Sequence, residues 1–141
     1  MSNAKTAIGT QVKRGDGGAP ETFTKIAEVR SVKGPSQDVS IIDVSNFDSQ
    51  SGYEEYAIGL KKGAALSCTA NLIPQDPVYK SLLADYESRR IGNYQVVLPD
   101  ASLTTASFTA FVAKLDRSLD VKAAMGVTID LQITGAITWA P

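Results

Sequence analysis

Apolar and polar residues alternate along most of the chain, in short stretches separated by turn-forming residues. In 64–73, Leu66, Cys68, Ala70 and Leu72 point one way, and Ser67, Thr69 and Asn71 the other. A period of two is that of a half-buried strand, here with Cys68 inward. The same period returns in 93–98, where Tyr94, Val96 and Leu98 share a face, and in 104–115, where Ala106, Phe108, Ala110 and Val112 oppose Thr105, Ser107 and Thr109. It returns again where Val127, Ile129, Leu131 and Ile133 alternate with Thr128, Asp130, Gln132 and Thr134. Gly135 interrupts that run before Ile137 and Trp139. Between the last two long runs, 116–118 reads as a short connection and 119–124 as further strand, with a bulge or turn at Met125-Gly126.

Nearer the start, 23–33 reads as a strand through Ile26, Val29 and Val32. Gly34-Pro35 breaks it, and 39–44, with Ile41 and Ile42, is a second strand that pairs with it as a hairpin. One segment has a helical period instead. Asp76 suits an N-cap and Pro77 a first helical position. Val78, Leu82 and Tyr86 then recur every fourth residue, with Tyr79 and Leu83 alongside. Arg89 and Arg90 complement the helix dipole and Gly92 ends a helix over about 77–90.

These readings give about seven or eight strands and one helix. Alternation, rather than solid apolar runs, points to antiparallel sheets with one wet face. The expected fold is mainly β: an antiparallel β-sandwich or partly open barrel with one flanking α-helix. Two segments stand outside it. Residues 1–22 lack a large apolar cluster and contain the Gly-rich tract Arg14-Gly15-Asp16-Gly17-Gly18-Ala19-Pro20; they read as a flexible arm before a single domain at 23–141. Residues 45–63 read as a long connection that carries Phe47, Tyr53, Tyr56, Ile58 and Leu60. Such a loop either tucks onto its own core or packs on a partner.

Composition narrows the chemistry. The 141 residues suit one domain, and the net charge of −1 argues against a strongly basic nucleic-acid binder. With no histidine and one cysteine, imidazole-based catalysis, His-ligated zinc, internal disulfides and Cys-x-x-Cys sites are excluded. Folding in a reducing compartment is expected. No apolar run approaches the roughly 20 residues of a bilayer span, and the first residues lack a signal-peptide pattern. The acids lie in turns or on wet faces, outside any calcium-loop or catalytic pattern. Gly59-Leu60-Lys61-Lys62-Gly63 lacks the spacing of a phosphate loop. The expectation is a non-enzyme without metal or cofactor.

The order of segments carries a resemblance. Phe23-Thr24-Lys25-Ile26-Ala27-Glu28-Val29 precedes Val32-Lys33-Gly34-Pro35, then Ile42-Asp43-Val44-Ser45 and Tyr56-Ala57-Ile58-Gly59-Leu60-Lys61-Lys62-Gly63. Leu72-Ile73-Pro74, the helix, Val97-Leu98-Pro99-Asp100, Phe108-Thr109-Ala110-Phe111-Val112 and Ile133-Thr134-Gly135-Ala136-Ile137-Thr138-Trp139 follow. Over about 21–140 this set resembles the major tail tube proteins of long, non-contractile-tailed bacteriophages. The resemblance implies six subunits in a ring, inner sheets joined into a continuous barrel, and rings stacked into a virion tail tube through which DNA passes without specific binding. It also implies assembly in the host bacterial cytoplasm, and partners that include further copies, the tail initiator or tape-measure protein and a terminator. Some members carry a C-terminal immunoglobulin-like domain; none is expected after Pro141.

On this reading Thr105, Ser107, Thr109, Thr128, Asp130, Gln132 and Thr134 face the lumen, where few cations keep DNA from binding tightly. Phe47, Tyr53, Tyr56, Lys61 and Lys62, with the 1–22 arm, make the inter-ring stacking contacts. A second reading is a non-enzymatic carbohydrate- or protein-binding β-sandwich module of a virion or secreted structure, with Tyr53, Tyr56 and Tyr94 converging on one site. A hydrolase with paired carboxylates ranks last.

Overall fold

The computed structural model describes residue 6 and residues 8–141. Among these are nine strands, β1(Gln11–Gly15), β2(Phe23–Lys25), β3(Val29–Lys33), β4(Gln37–Asp43), β5(Tyr56–Gly63), β6(Ala65–Asn71), β7(Ile91–Val97), β8(Thr105–Ser118) and β9(Gly126–Ala140), one α-helix, α1(Pro77–Ser88), and a short 3-10 turn at Gln50–Gly52. Seven strands form one antiparallel sheet in the order β2-β1-β7-β8-β9-β6-β3, and β4 and β5 form a separate hairpin.

The sheet curls because of how its edges are joined. β2 and β3 lie at opposite edges, yet only residues 26–28 connect them. Four chain steps span at most about 14 Å, whereas seven flat strands would hold their edges about 29 Å apart. Ile26 N–H donates to Val12 O of β1 at 2.8 Å, and Asn71 N–H of β6 donates to Glu28 O at 3.1 Å, so the link is tied to both sides. Glu28 turns the corner with φ of 53°. The result is the partly open barrel expected from the alternation.

The inward faces of the sheet strands make the core. Val12, Leu66, Cys68, Ala70, Tyr94, Val96, Ala106, Phe108, Ala110, Val127, Ile129, Leu131 and Ile133 are all buried there, joined by Ile26 and by Leu82 of α1. Each large apolar side chain sealed in this way contributes roughly 1.5–3 kcal/mol. The helix starts as anticipated: Asp76 accepts a hydrogen bond from Tyr79 N–H, and Pro77 takes the first turn. It ends earlier, at Ser88, because Arg89 adopts a left-handed cap (φ 57°) and donates its N–H to carbonyls of the preceding turn. Gly92 belongs to β7 instead.

Four further expectations change. Residues 11–15 are not part of an arm: β1 pairs with both β2 and β7, and Val12 is wholly buried. One buried valine among polar neighbours gives too weak a period to be seen. The expected 23–33 strand is two strands on opposite edges, and neither pairs with β4. The 45–63 stretch is a connection only to residue 55; Tyr56–Gly63 is strand β5, opposite β4. Residues 116–118 extend β8, while 119–124 are turn rather than strand. The segment 1–5 and residue 7 of the expected arm lie outside the described residues.

One continuity explains where the hairpin points. Lys33 faces Ser67 in β3–β6, and Gln37 faces Gly63 in β4–β5. The step from Lys33 to Gln37 equals the step from Ser67 to Gly63, so the register runs through unbroken. β3–β4 and β5–β6 are one long antiparallel ribbon with a corner at 34–36 and Ala64. Its inner half is a wall of the barrel, and its outer half leaves the body.

Candidate functional site

The outer half of the ribbon is unusual in what it leaves uncovered. Ile41 and Ile58 face each other across it while 69% and 84% exposed. Ile42, Val44, Tyr56 and Leu60 are exposed as well. An isolated two-stranded ribbon is marginal in water, and apolar exposure of this extent marks a surface that another molecule covers. Both ribbon edges also leave backbone groups open to pairing.

The tip, residues 44–55, is held by its own polar groups. Val44 N–H donates to Glu55 O at 3.0 Å. Glu55 N–H donates to Ser45 Oγ at 2.7 Å, Asp48 N–H to Asn46 Oδ1 at 2.7 Å, and Ser49 Oγ to Glu55 Oε2 at 3.1 Å. The Tyr56 hydroxyl donates to Glu54, which raises the pKa of the phenol. Hydrogen bonds to Ser45, from its N–H first, lower the pKa of Asp43. This frame presents Phe47 and Tyr53 outward; Phe47 has no cover at all.

The five residues anticipated for stacking therefore sit at two ends of the ribbon. Phe47, Tyr53 and Tyr56 cluster at or beside the tip. Lys61 and Lys62 lie at the base, opposite Val39 and Asp38. Six residue steps of strand separate Tyr56 from Lys62, about 20 Å. Sequence reading missed the Ile41–Ile58 pair as the apolar centre of this arm. The available signal was two β-like segments, 39–44 and 56–60, bracketing a run of Ser, Asn, Asp and Gly.

The seven residues anticipated for the lumen share one face of the curled sheet. Thr109 faces Thr134 across β8–β9, and Gln132 faces Phe111, so the odd positions of β8 and the even positions of β9 lie together, away from the core. Thr105, Ser107, Thr109, Thr128 and Asp130 are half-buried, and Gln132 and Thr134 exposed. β7 extends this polar surface: Thr109 Oγ1 donates to Asn93 Oδ1 at 3.1 Å, and Gln95 Nε2 to Ser107 Oγ at 3.5 Å. The bulge between Val112 and Lys114 reverses the parity of β8 and brings Lys114 opposite Asp130. Gln132 does more than face outward, since its Nε2 donates to Ala64 O at 2.6 Å and to Ile133 O at 3.3 Å.

The three-tyrosine site of the binding-module reading does not form. Tyr94 is fully buried, while Tyr53 and Tyr56 are on the hairpin. The one buried acid among the described residues, Asp85, is engaged by Arg14 and Arg90. Cys68 is buried, and burial pushes its thiol up to about 12, away from nucleophilic use. Among the described residues no group of three or more His, Cys, Asp and Glu is placed to hold a metal ion.

Known structures share this architecture. The tail of an empty gene transfer agent particle with C6 symmetry superposes with a TM-score of 0.81 at 18% identity, over 98% of this chain and all of that one. The virion of a native gene transfer agent particle gives 0.78 at 16% identity, over 98% and 100% of the two chains. The SPP1 tail tube gives 0.65 at 14% identity, over 92% of this chain and 75% of that one. At such identities the likeness is one of fold. No curated protein matches the sequence significantly. The family model described as lambda phage tail tube protein, however, matches residues 10–140. With nearly the whole chain accounted for, the protein belongs to the lambda phage tail tube protein family.

Proposed function

We propose that this chain is a structural, non-enzymatic virion protein that closes into six-membered rings, and that these stack into the tail tube through which DNA is ejected. The observation that carries the reading is the projecting β4–β5 ribbon, whose apolar groups on both strands and whose aromatic tip need a partner. A second copy of the same chain is that partner. Heterologous contacts between identical copies close when the rotation from one to the next is right, and the fold relative with C6 symmetry has six copies about its axis.

The ribbon makes the contact between rings, with Phe47, Tyr53 and Tyr56 at its tip and Lys61 and Lys62 at its base. The polar face with Thr105, Ser107, Thr109, Thr128, Asp130, Gln132 and Thr134 lines the lumen. Hydroxyls, amides and a carboxylate there stay hydrated and give DNA little to bind, because tight non-specific binding comes from cations that displace counterions. Beyond itself, the tube meets a tail initiator or tape-measure protein at one end and a terminator at the other, after assembly in the host bacterial cytoplasm.

Negative-stain electron microscopy of the concentrated protein, with light scattering on the same sample, tests the reading. Rings or hollow tubes are expected. Species that stay monomeric at all concentrations, and also in the presence of tail initiator complexes, would overturn it. A reconstruction with Asp130 on the outer wall would overturn the lumen assignment alone.

A further inference from the structure

The corner of the long ribbon is built from three independent restraints. Gly34 bends one strand with φ of 106°, and a Cβ there would lie 2.8 Å from Ala65 O. On the other strand, Gly63 is pressed onto β9, where a Cβ would lie 2.6 Å from Ile133 Cγ2. Between them, Ala64 N–H donates across the corner to Ser36 O at 2.9 Å, and Ile133 N–H of β9 ties the corner to the body by donating to Ala64 O at 3.1 Å. The Gln132 side-chain amide donates to that same Ala64 O at 2.6 Å. Ala64 O is thus held by two donors from β9, one from backbone and one from an exposed side chain.

We propose that Gln132 is a positioning residue that fixes the angle between the ribbon and the barrel, and that through this angle it sets whether copies close into a uniform ring. The second half rests on the tube reading given above. Past its base, where β5 lies beside β9, the ribbon is paired among the described residues only by its own two strands, so a pivot lies at its foot, around 34–36 and Ala64. In a heterologous assembly a small error in that angle repeats at every contact, and the structure then closes with the wrong number of copies or stays open. A glutamine at this position reaches the carbonyl because its amide can donate. An isosteric glutamate at neutral pH is acceptor-only and meets the carbonyl oxygen with like polarity.

The test uses nitroxide labels on S40C, on the ribbon, and T24C, on β2; Cys68 is buried and stays unlabelled. Distances are measured by pulsed electron resonance on dilute monomer, and assemblies of unlabelled protein by electron microscopy. The native corner should give one narrow distance, and Gln132→Glu a broad distribution together with loss of uniform assembly diameter. Gln132→Ala serves if the glutamate variant misfolds, as judged by its thermal midpoint. Gly63→Ala, with Gln132 intact, should displace the mean distance instead. An unchanged distribution in both Gln132 variants overturns the brace, as does a broad one in the native protein. Broadened distances with uniform rings overturn the role in closure. If the native protein never assembles, the tube reading and the closure role fail with it, while the distances still decide the brace.

Discussion

Arg14 and Asp85, 71 positions apart, meet as a two-pronged pair: Arg14 Nε donates to Asp85 Oδ2 at 2.6 Å and Nη2 to Oδ1 at 2.9 Å. The pair fastens β1 to α1. Arg90 joins at 3.4 Å from the same carboxylate and donates to Gly15 O at 3.3 Å. Asp85 takes the inward helical position that the periodicity gave to Tyr86, because two guanidinium groups await it there. The hydrogen bond that Arg14 donates to Asp85 is the main reason its guanidinium is held above its ordinary pKa.

Removing the acid should therefore be costly. Asp85→Ala leaves two arginines facing a site with no counter-charge, and a loss of about 3–5 kcal/mol is expected. Arg14→Lys keeps the charge but loses the fork, and should cost less. Urea unfolding of the two variants checks the order; equal, small losses would contradict it.

The same β1 strand changes what a truncation means. Deletion of residues 1–20 removes Val12 and Arg14, so it should unfold the subunit rather than produce a folded, assembly-defective one. Circular dichroism of the truncated protein decides.

Stability should fall in alkali. Burial pushes the Cys68 thiol from 9.0 to about 12. Burial, and then the charge of Asp85, push the Tyr94 phenol from 10.0 to about 12. Unfolded chains ionise these groups at their ordinary values, so the contribution is fully present below about pH 9 and is lost as pH rises toward about 12. Urea midpoints should decline over that window. Tyr94→Phe should flatten the decline, and at neutral pH it should be neutral or stabilising by up to about 1 kcal/mol, because the Tyr94 hydroxyl is buried without a hydrogen-bond partner of good geometry.

Cys68 should also resist thiol reagents at pH 8 in the folded protein and react at once in denaturant. Rapid labelling of the native chain would show that β6 and β9 open far more easily than their packing implies.

Phe47 and Tyr53 make few contacts within the subunit, so Phe47→Ala and Tyr53→Ala should shift the thermal midpoint little and abolish tube growth. Ile58→Asp should do the same through the apolar centre of the ribbon. Sedimentation at matched concentrations reads the difference; normal-length tubes from all three would remove the ribbon from the assembly contact.

Strand identity was legible wherever a strand has one buried and one wet face: β6, β7, β8 and β9 show it, and Asp76-Pro77 announces the helix. Pairing was not legible. Nothing in the alternation of 23–33 says that the chain crosses from one sheet edge to the other at Ile26 to Glu28. β1 was lost because it buries one valine and uses Arg14 through a distant acid. β5 was lost because its exposed apolar residues and two glycines read equally well as loop. The polar face was found by parity, yet parity could not tell that Gln132 spends its amide on Ala64.

The unbroken ribbon also has a mechanical meaning. A pull on its tip runs along β6, lengthwise against β9, where seven residue pairs from Ala65–Gln132 to Asn71–Gly126 stand side by side. Such a load shears the whole ladder at once, instead of peeling its bonds one after another from an end. The subunit thus meets tension through its stiffest direction, and a column of such subunits would transmit a stretch or a bend from ring to ring through its walls without opening any one of them.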